Sequence, residues 1–236
     1  MHDTNRRYGF ATVLLALSLG VSATSGMCQV TISAVVPGTS DPWLAGMPTG
    51  SIASCLFSLC DTVPTESPVL IDNLCLVPGE PLVFEASGGV SIDPGLPLYP
   101  PDGDVSWTVW HDAGAEDSIS NIYAPIDCLV GVFLNDAQPN SSPAPPSLEF
   151  GTLLSRDYLS LSPLLKQVFF IGDGLTSAGE VQRVLVPSGA TRLFLGTMDS
   201  CGWYNNGGQF NVQLTVSCGP TTVNGTTWGR IKSMFR

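Results

Sequence analysis

Short apolar segments separated by Gly- and Pro-rich turns make up most of this chain. The clearest segment alternates apolar and polar residues over Gln209–Val216, a period that is typical of a β-strand with one buried face. The 25 Gly and 19 Pro residues keep such segments short. We predict nine strands, at residues 29–36, 68–71, 82–84, 105–110, 128–134, 167–171, 181–186, 192–195 and 209–216. This pattern predicts an all-β fold, an antiparallel β-sandwich of the jelly-roll type.

Helical patterning is weak along the whole chain. Leu153–Phe170 comes closest to a helix, but Pro163 interrupts it and removes a backbone donor. No helix is therefore predicted with the strength of the strands.

The first residues have the layout of a secretory signal peptide. Arg6 and Arg7 precede an apolar run over Phe10–Val21 that is too short to span a bilayer, and small residues follow it. We predict a signal peptide over residues 1–23, with cleavage after Ala23 or at a site nearer Gln29. A secreted protein, extracellular or at the cell surface and without a stable transmembrane segment, is the expectation.

The remaining residues are predicted to form one domain and a tail. Residues 29–218 are long enough to bury a large core as a single sandwich domain. Residues 219–236 are polar and then basic and aromatic, which indicates a flexible C-terminal tail.

Seven cysteines in an exported chain favour disulfides over metal ligands, because no CxxC pair occurs. Cys55 lies close in sequence to Cys60, and a bridge between Cys201 and Cys218 would fix a polar loop to its strand. Both pairings are hypotheses. If Cys28 is lost or unpaired, six cysteines remain, and these allow 15 connectivities.

The charge of the chain is strongly acidic, at −11 overall. Residues 29–219 contain nineteen acidic residues but only four basic ones, which are Arg156, Lys166, Arg183 and Arg192. Nucleic acid is excluded as an expected partner, because nothing would neutralise its phosphates. Solubility alone explains such a charge, but a calcium ion or a neutral partner also suits it.

The candidate binding residues concentrate between two predicted strands. Asp199 ends an apolar run, and the loop after it holds two aromatic and two amide side chains: Trp203, Tyr204, Asn205 and Asn206. One carboxylate and two amides form an oxygen set of the kind that calcium prefers. The aromatic rings are suited to the apolar face of a sugar. The alternative is a plain polar hairpin loop, since Asp, Asn and Gly are ordinary turn residues.

Three segments carry a resemblance to a known family. Pro78–Asp104 contains PGEPLVFEASGGVSIDP and LYPPDGD, Asp127–Phe133 reads DCLVGVF, and Val181–Val212 reads VQRVLVPSGATRLFLGTMDSCGWYNNGGQFNV. They resemble the PA-I galactophilic lectins, which are calcium-dependent, galactose-binding bacterial lectins, and related exported bacterial proteins. The resemblance implies a small β-sandwich similar to galactose-binding domains, and the last segment is its most specific part.

The resemblance implies Ca2+ as cofactor and a carbohydrate, of the galactose type, as partner. By position it assigns calcium ligands in two groups, the side chains of Asp199, Asn205 and Asn206 and the main-chain carbonyls of Trp203 and Ile92. In the family the metal holds two sugar hydroxyls directly, so Asp199 and Asn205 would also hydrogen-bond the sugar. The loop here is one residue shorter than in the family, and Cys201 is inserted in it.

Other predicted sugar contacts are aromatic. Trp203 and Tyr204 lie in the loop, and His111 is the nearest histidine to the position of the family's His-Pro-Asp-Gln stretch, which has no direct equivalent. Because weak sugar sites gain from multivalency, a homo-oligomer is a further hypothesis.

An enzyme is not expected from these residues. His111 is the only histidine outside the predicted signal peptide, and the chain has no Gly-x-Ser-x-Gly elbow. No carboxylate pair is singled out, since Asp102 and Asp104 lie in a predicted turn. The second hypothesis is a non-enzymatic structural or surface domain, in which the calcium loop is structural or vestigial.

Overall fold

The strands of this protein pack as a β-sandwich, which confirms the predicted all-β antiparallel class. The structure is a computed structural model that describes residues 28–55 and 60–218. The predicted signal peptide and C-terminal tail lie outside the described residues. None of the helices in the described part has the length and apolarity that crossing a membrane requires.

Twelve strands, one α-helical turn and three short 3₁₀ turns form the described part. The strands are β1 Cys28–Pro37, β2 Val69–Leu70, β3 Pro81–Ser91, β4 Asp104–Trp110, β5 Ile122–Ile126, β6 Leu129–Leu134, β7 Leu148–Glu149, β8 Ser160–Leu161, β9 Val168–Phe170, β10 Arg183–Leu185, β11 Arg192–Thr197 and β12 Gly207–Cys218. The α-helical turn is α1 Leu153–Arg156, and the 3₁₀ turns are Pro42–Leu44, Pro139–Ser141 and Trp203–Asn205.

Three sheets hold these strands. One sheet has the order β1-β12-β3-β10-β8, the second has β2-β11-β6-β9, and the third has β4-β5-β7. The long strand β12 pairs with β1 over Gln209–Cys218 on one side and with β3 over Gly207–Val216 on the other. All pairings are antiparallel except β10 with β8 and β5 with β7. The three long strands β1, β12 and β3 therefore form the main continuous part of the five-stranded sheet.

Strand β6 is buried on both faces and separates two hydrophobic cores. Leu129 and Phe133 pack into a core with Phe84 and Leu214 of the five-stranded sheet. The alternating residues Val130, Val132 and Leu134 pack into a second core with Trp43, Ile122 and Phe170. Because side chains alternate along a strand, this division places the four-stranded sheet between the other two.

The one α-helical turn lies where the sequence came closest to a helix. Thr152 caps α1 through a reciprocal pair of hydrogen bonds with Ser155, so a local capping box compensates for the lack of a periodic apolar face. The turn ends at Arg156, and the rest of the candidate helical stretch forms short strands and loops.

The disulfides differ from both sequence hypotheses. The bonded pairs are Cys55–Cys201 and Cys75–Cys218, and Cys60 is exposed and free. The predicted Cys201–Cys218 pair is wrong because β12 lies between the two residues. Eleven strand steps separate their regions by roughly 36 Å, whereas a disulfide needs Cα atoms within about 7 Å. The predicted Cys55–Cys60 pair is wrong because Cys55 forms its disulfide with Cys201 instead.

Candidate functional site

Asp199 lies just beyond the end of β11, in a turn that its own carboxylate stabilises. Its Oδ1 accepts hydrogen bonds from the main-chain nitrogens of Ser200 at 2.6 Å and Cys201 at 3.3 Å. Only 4% of the residue is exposed. This burial raises the pKa of Asp199 to about 6, against the opposite effect of hydrogen bonds from Asn206, Cys201 and Ser200. The carboxylate is thus ionised at neutral pH at a cost that a cation would offset.

Asn206 lies beside Asp199 and is also buried. Its Nδ2 donates to the carbonyl of Gly38 at 3.2 Å, and its side chain hydrogen-bonds the Asp199 carboxylate. Its Oδ1 is buried and has no hydrogen-bond partner among the described residues. An unpaired buried acceptor costs free energy, so this oxygen is a ready ligand for a cation.

The register of the five-stranded sheet brings Ile92 to the same place. Ser91 at the end of β3 pairs with Gly207 at the start of β12, so the next residues outward, Ile92 and Asn206, meet at the sheet end. Ile92 and Asn206 are far apart in the sequence, but the pairing of β3 with β12 brings them close together.

Trp203 and Tyr204 begin the 3₁₀ turn of the loop and face different surroundings. Trp203 is buried, its indole nitrogen donates to the carbonyl of Thr197 at 2.9 Å, and its own carbonyl accepts the main-chain N–H of Asn206 at 3.0 Å. A carbonyl has two lone pairs, so this contact leaves acceptor capacity. Tyr204 is 40% exposed.

A cleft of about 310 Å³ joins most of the predicted residues. Four of them line it: Ile92, Asp199, Tyr204 and Asn205. Asn206 and Trp203 do not line the cleft and lie behind it, in contact with Asp199 and Thr197 respectively. Its other lining residues are Asp93, Leu96, Trp107, Ile126, Ser200 and Cys201.

The structure does not bring His111 to this cleft. The residue is 2% exposed, and its ring stacks on Trp43 at a centroid distance of 3.9 Å. Its Nδ1 lies 3.0 Å from the carbonyl of Gly114, and its Nε2 lies 3.6 Å from Glu116 Oε2. Burial lowers the pKa of His111 to about 4, so the ring is neutral at physiological pH. His111 therefore belongs to the second hydrophobic core.

Asp61 stabilises the loop through hydrogen bonds to its main chain and was not among the residues predicted from the sequence. Its carboxylate accepts the main-chain N–H of Trp203 at 3.1 Å and that of Tyr204 at 2.8 Å. Asp61 is 1% exposed, and burial is the main cause that raises its pKa. Only its proximity to Cys55, whose disulfide reaches the same loop, could have indicated this role.

Asp127 is a second missed residue. Its main-chain N–H donates to the carbonyl of Met198 at 2.7 Å, which places it against the residue before Asp199. It is 1% exposed, its Oδ1 has no hydrogen-bond partner among the described residues, and its φ is +65°. Burial first, and the charges of Asp199 and Asp104 next, raise the pKa of Asp127 to about 7. An acid directly before a fully apolar strand was the signal in the sequence.

The donor set fits calcium in its chemistry. No group of three or more His, Cys, Asp or Glu side chains within residues 28–55 and 60–218 could hold a metal ion. The predicted set has one such side chain and takes its other oxygens from asparagines and the main chain, which is a combination typical of calcium. The unpaired Oδ1 of Asn206 beside the buried Asp199 carboxylate supports the fit.

Comparisons with known proteins give no family for this chain. No family model matches it, and neither does any curated protein or any solved structure. The likeness to the PA-I galactophilic lectins therefore stays a resemblance, and the site must be judged on its own residues.

The disulfide that reaches the loop gives a first prediction. We expect the double variant C55S/C201S to bind calcium several-fold more weakly, because the loop loses its covalent anchor. The double variant C75S/C218S is the matched control, since its bridge lies at the far end of β12 and spans 143 residues against 146. Both should lose comparable stability, because the closed loops are nearly equal in length. Calcium titration checks this, and equal affinities in the two variants would contradict it.

Proposed function

We propose that this protein is a secreted, calcium-dependent carbohydrate-binding protein of the lectin type. The observation that carries the proposal is the convergence of Ile92, Asp199, Tyr204 and Asn205 on one cleft. The residues come from two distant parts of the chain and were selected from the sequence alone.

Calcium is favoured over an empty polar loop by the surplus of buried acid at this place. Asp199, Asp127 and Asp61 are each less than 5% exposed, and burial raises the pKa of all three. None of the residues that line the cleft is basic. Hydrogen bonds reach Asp61 and Asp199, but buried negative charge is normally also paired with a cation, so a metal ion would offset the charge of this cluster.

Side-chain and main-chain oxygens would both contribute to calcium binding. Asp199, Asn205 and Asn206 would hold calcium with side-chain oxygens, and Trp203 and Ile92 would add main-chain carbonyls. Bound calcium would supply open coordination positions for two vicinal hydroxyls of a sugar. Asp199 and Asn205 would accept hydrogen bonds from these hydroxyls and so orient the ring.

Secretion and assembly belong to the same proposal. Two disulfides in the described part fit an oxidising compartment, in agreement with the signal peptide predicted from the sequence. A homo-oligomer would raise the avidity of weak sites for surfaces that carry many glycans.

Calcium titration by calorimetry, followed by a glycan array with and without EDTA, tests the proposal. We expect the wild type to bind calcium and to retain glycans only without EDTA, and Asp199→Ala to lose both properties. Asp93→Asn is the matched control, because Asp93 lines the same cleft but is not a predicted ligand.

The possible results separate the candidate functions. Calcium binding with a silent array would overturn the lectin function and favour a structural metal site in a surface domain. No calcium binding in the wild type would overturn the proposal altogether.

A further inference from the structure

The cleft at Asp199 also has an apolar lining, and of its residues only Ile92 belongs to the predicted calcium set. Its apolar lining residues are Ile92, Leu96, Trp107 and Ile126, and Asp199, Ser200 and Asn205 are among its polar ones. Trp107 is 49% exposed, although its ring is among the largest apolar side chains of the chain. A half-exposed ring that shares a cleft with three other apolar side chains can contact a ligand, because ligand clefts are lined mainly by apolar and aromatic residues.

An irregularity in strand β4 places Trp107 at the cleft. On one side of it Asp104 pairs with Ile126 of β5, and on the other Thr108 pairs with Pro125. Residues 105–107 thus have no partner on β5 and form a bulge. The Oδ1 of Asp104 stabilises this bulge by accepting the main-chain N–H of Ser106 at 2.9 Å and its hydroxyl at 2.6 Å. Bulges re-aim side chains and are common beside functional sites.

Trp110, on the same strand, shows the difference between a surface ring and a ring at the cleft. It is 40% exposed, but it stacks on Tyr123 at a centroid distance of 5.1 Å and does not line the cleft. Trp107 has no aromatic partner within residues 28–55 and 60–218. Its face is therefore available to a ligand.

The charge of the cleft limits the ligand that can lie on this ring. Asp93 and Asp199 are acidic, and the lining residues include no Lys, Arg or His. Bound calcium would offset these two charges, and no lining side chain would then be left to pair with a carboxylate or sulfate on the ligand. A volume of about 310 Å³ is at the lower end of small-molecule sites, which suits a single sugar ring.

We propose that Trp107 is the stacking platform of the cleft and binds the apolar face of a neutral pyranose whose vicinal hydroxyls point to Asp199. This inference rests on the proposed function and adds to it a specificity-determining residue. The ring and the acidic pole then recognise two different sides of one sugar.

The test compares Trp107→Ala with Trp107→Phe and with the matched control Trp110→Ala. Each calcium-loaded protein is titrated against an array of neutral and acidic glycans, and calcium affinity is measured separately by calorimetry. We expect Trp107→Ala to bind neutral glycans about tenfold more weakly, as for the loss of one aromatic stacking contact. Trp107→Phe should recover most of the loss, and Trp110→Ala should match the wild type. Calcium affinity should be the same in all four proteins.

The outcomes distinguish this inference from the function on which it rests. Equal glycan binding by Trp107→Ala and the wild type would overturn the inference alone. A wild type that prefers acidic glycans would also overturn it and leave a calcium lectin. A wild type that retains no glycan would overturn both.

Discussion

Replacing Asp61 with alanine is expected to destabilise the protein by about 4 kcal/mol and to weaken calcium binding by at least about tenfold. The carboxylate accepts the main-chain N–H of Trp203 in a buried hydrogen bond and that of Tyr204 in a partly buried one. Each buried donor left without an acceptor costs about 1–3 kcal/mol. The loop would then spend less time in the conformation that places Asp199 and Asn206 together. Chemical denaturation and calcium titration measure the two effects.

Asp157→Ala is the control for this variant. Asp157 likewise accepts a main-chain N–H and a hydroxyl, both from Ser177, but at an exposed position away from the cleft. Its loss should cost far less stability than the loss of Asp61, because water can replace the carboxylate. If Asp61→Ala and Asp157→Ala destabilised the protein equally, the proposed support of the loop by Asp61 would be wrong.

Most strands were predictable because alternation and apolar runs depend on local sequence alone. The nine predicted segments all contain a strand, and β12 extends beyond its segment at both ends. Strand β5 was missed because Ile122–Ile126 contains Pro125, which normally argues against a strand. The bulge in β4 explains its presence, since Pro125 pairs at the edge of the irregular region.

The long-range contacts of the site were harder to predict. Asp199, Asn205 and Asn206 share one loop, so their proximity followed from the sequence. Asp61 and Trp107 reach the site through a disulfide-linked loop and a strand bulge, and neither feature leaves a local pattern. His111 shows the opposite error, because a histidine near the right position in the sequence packs into the core against Trp43. Side-chain direction is set by tertiary packing, which composition does not reveal.

The calcium-free protein is expected to lose about 2 kcal/mol of stability or more between pH 5 and pH 8. The pKa of Asp127 is raised to about 7 and that of Asp199 to about 6, from an ordinary value of 3.8. Between these values the folded state binds more protons than the unfolded state, so stability falls as pH rises. At about 1.4 kcal/mol for each pKa unit, Asp127 accounts for roughly 3 kcal/mol of the fall and Asp199 for roughly 1.

His111 acts against this fall, but it does not reverse it. Its pKa is lowered to about 4, so the unfolded state takes up a proton first as pH falls below about 6.5. Over pH 5 to 6.5 this opposes the carboxylates by roughly 2 kcal/mol. The raised pKa of Asp41 adds to the loss of stability that the carboxylates cause as pH rises. The carboxylates therefore dominate, and above pH 6.5 they act alone.

Thermal unfolding in EDTA and in excess calcium, at steps from pH 5 to pH 8, measures this dependence. In EDTA the melting temperature should fall as pH rises, because burial disfavours the ionised forms of Asp127 and Asp199 and the charge of Asp199 adds to the effect at Asp127. In calcium the fall should disappear, since the ion would bind the ionised Asp199 carboxylate, offset the charge of Asp127 beside it and so stabilise the folded state. Asp127→Asn should flatten the EDTA curve, because it removes the group with the largest contribution. A melting temperature in EDTA that stays level or rises from pH 6.5 to pH 8 would show that these carboxylates do not carry the buried charge that the proposed calcium ion would offset.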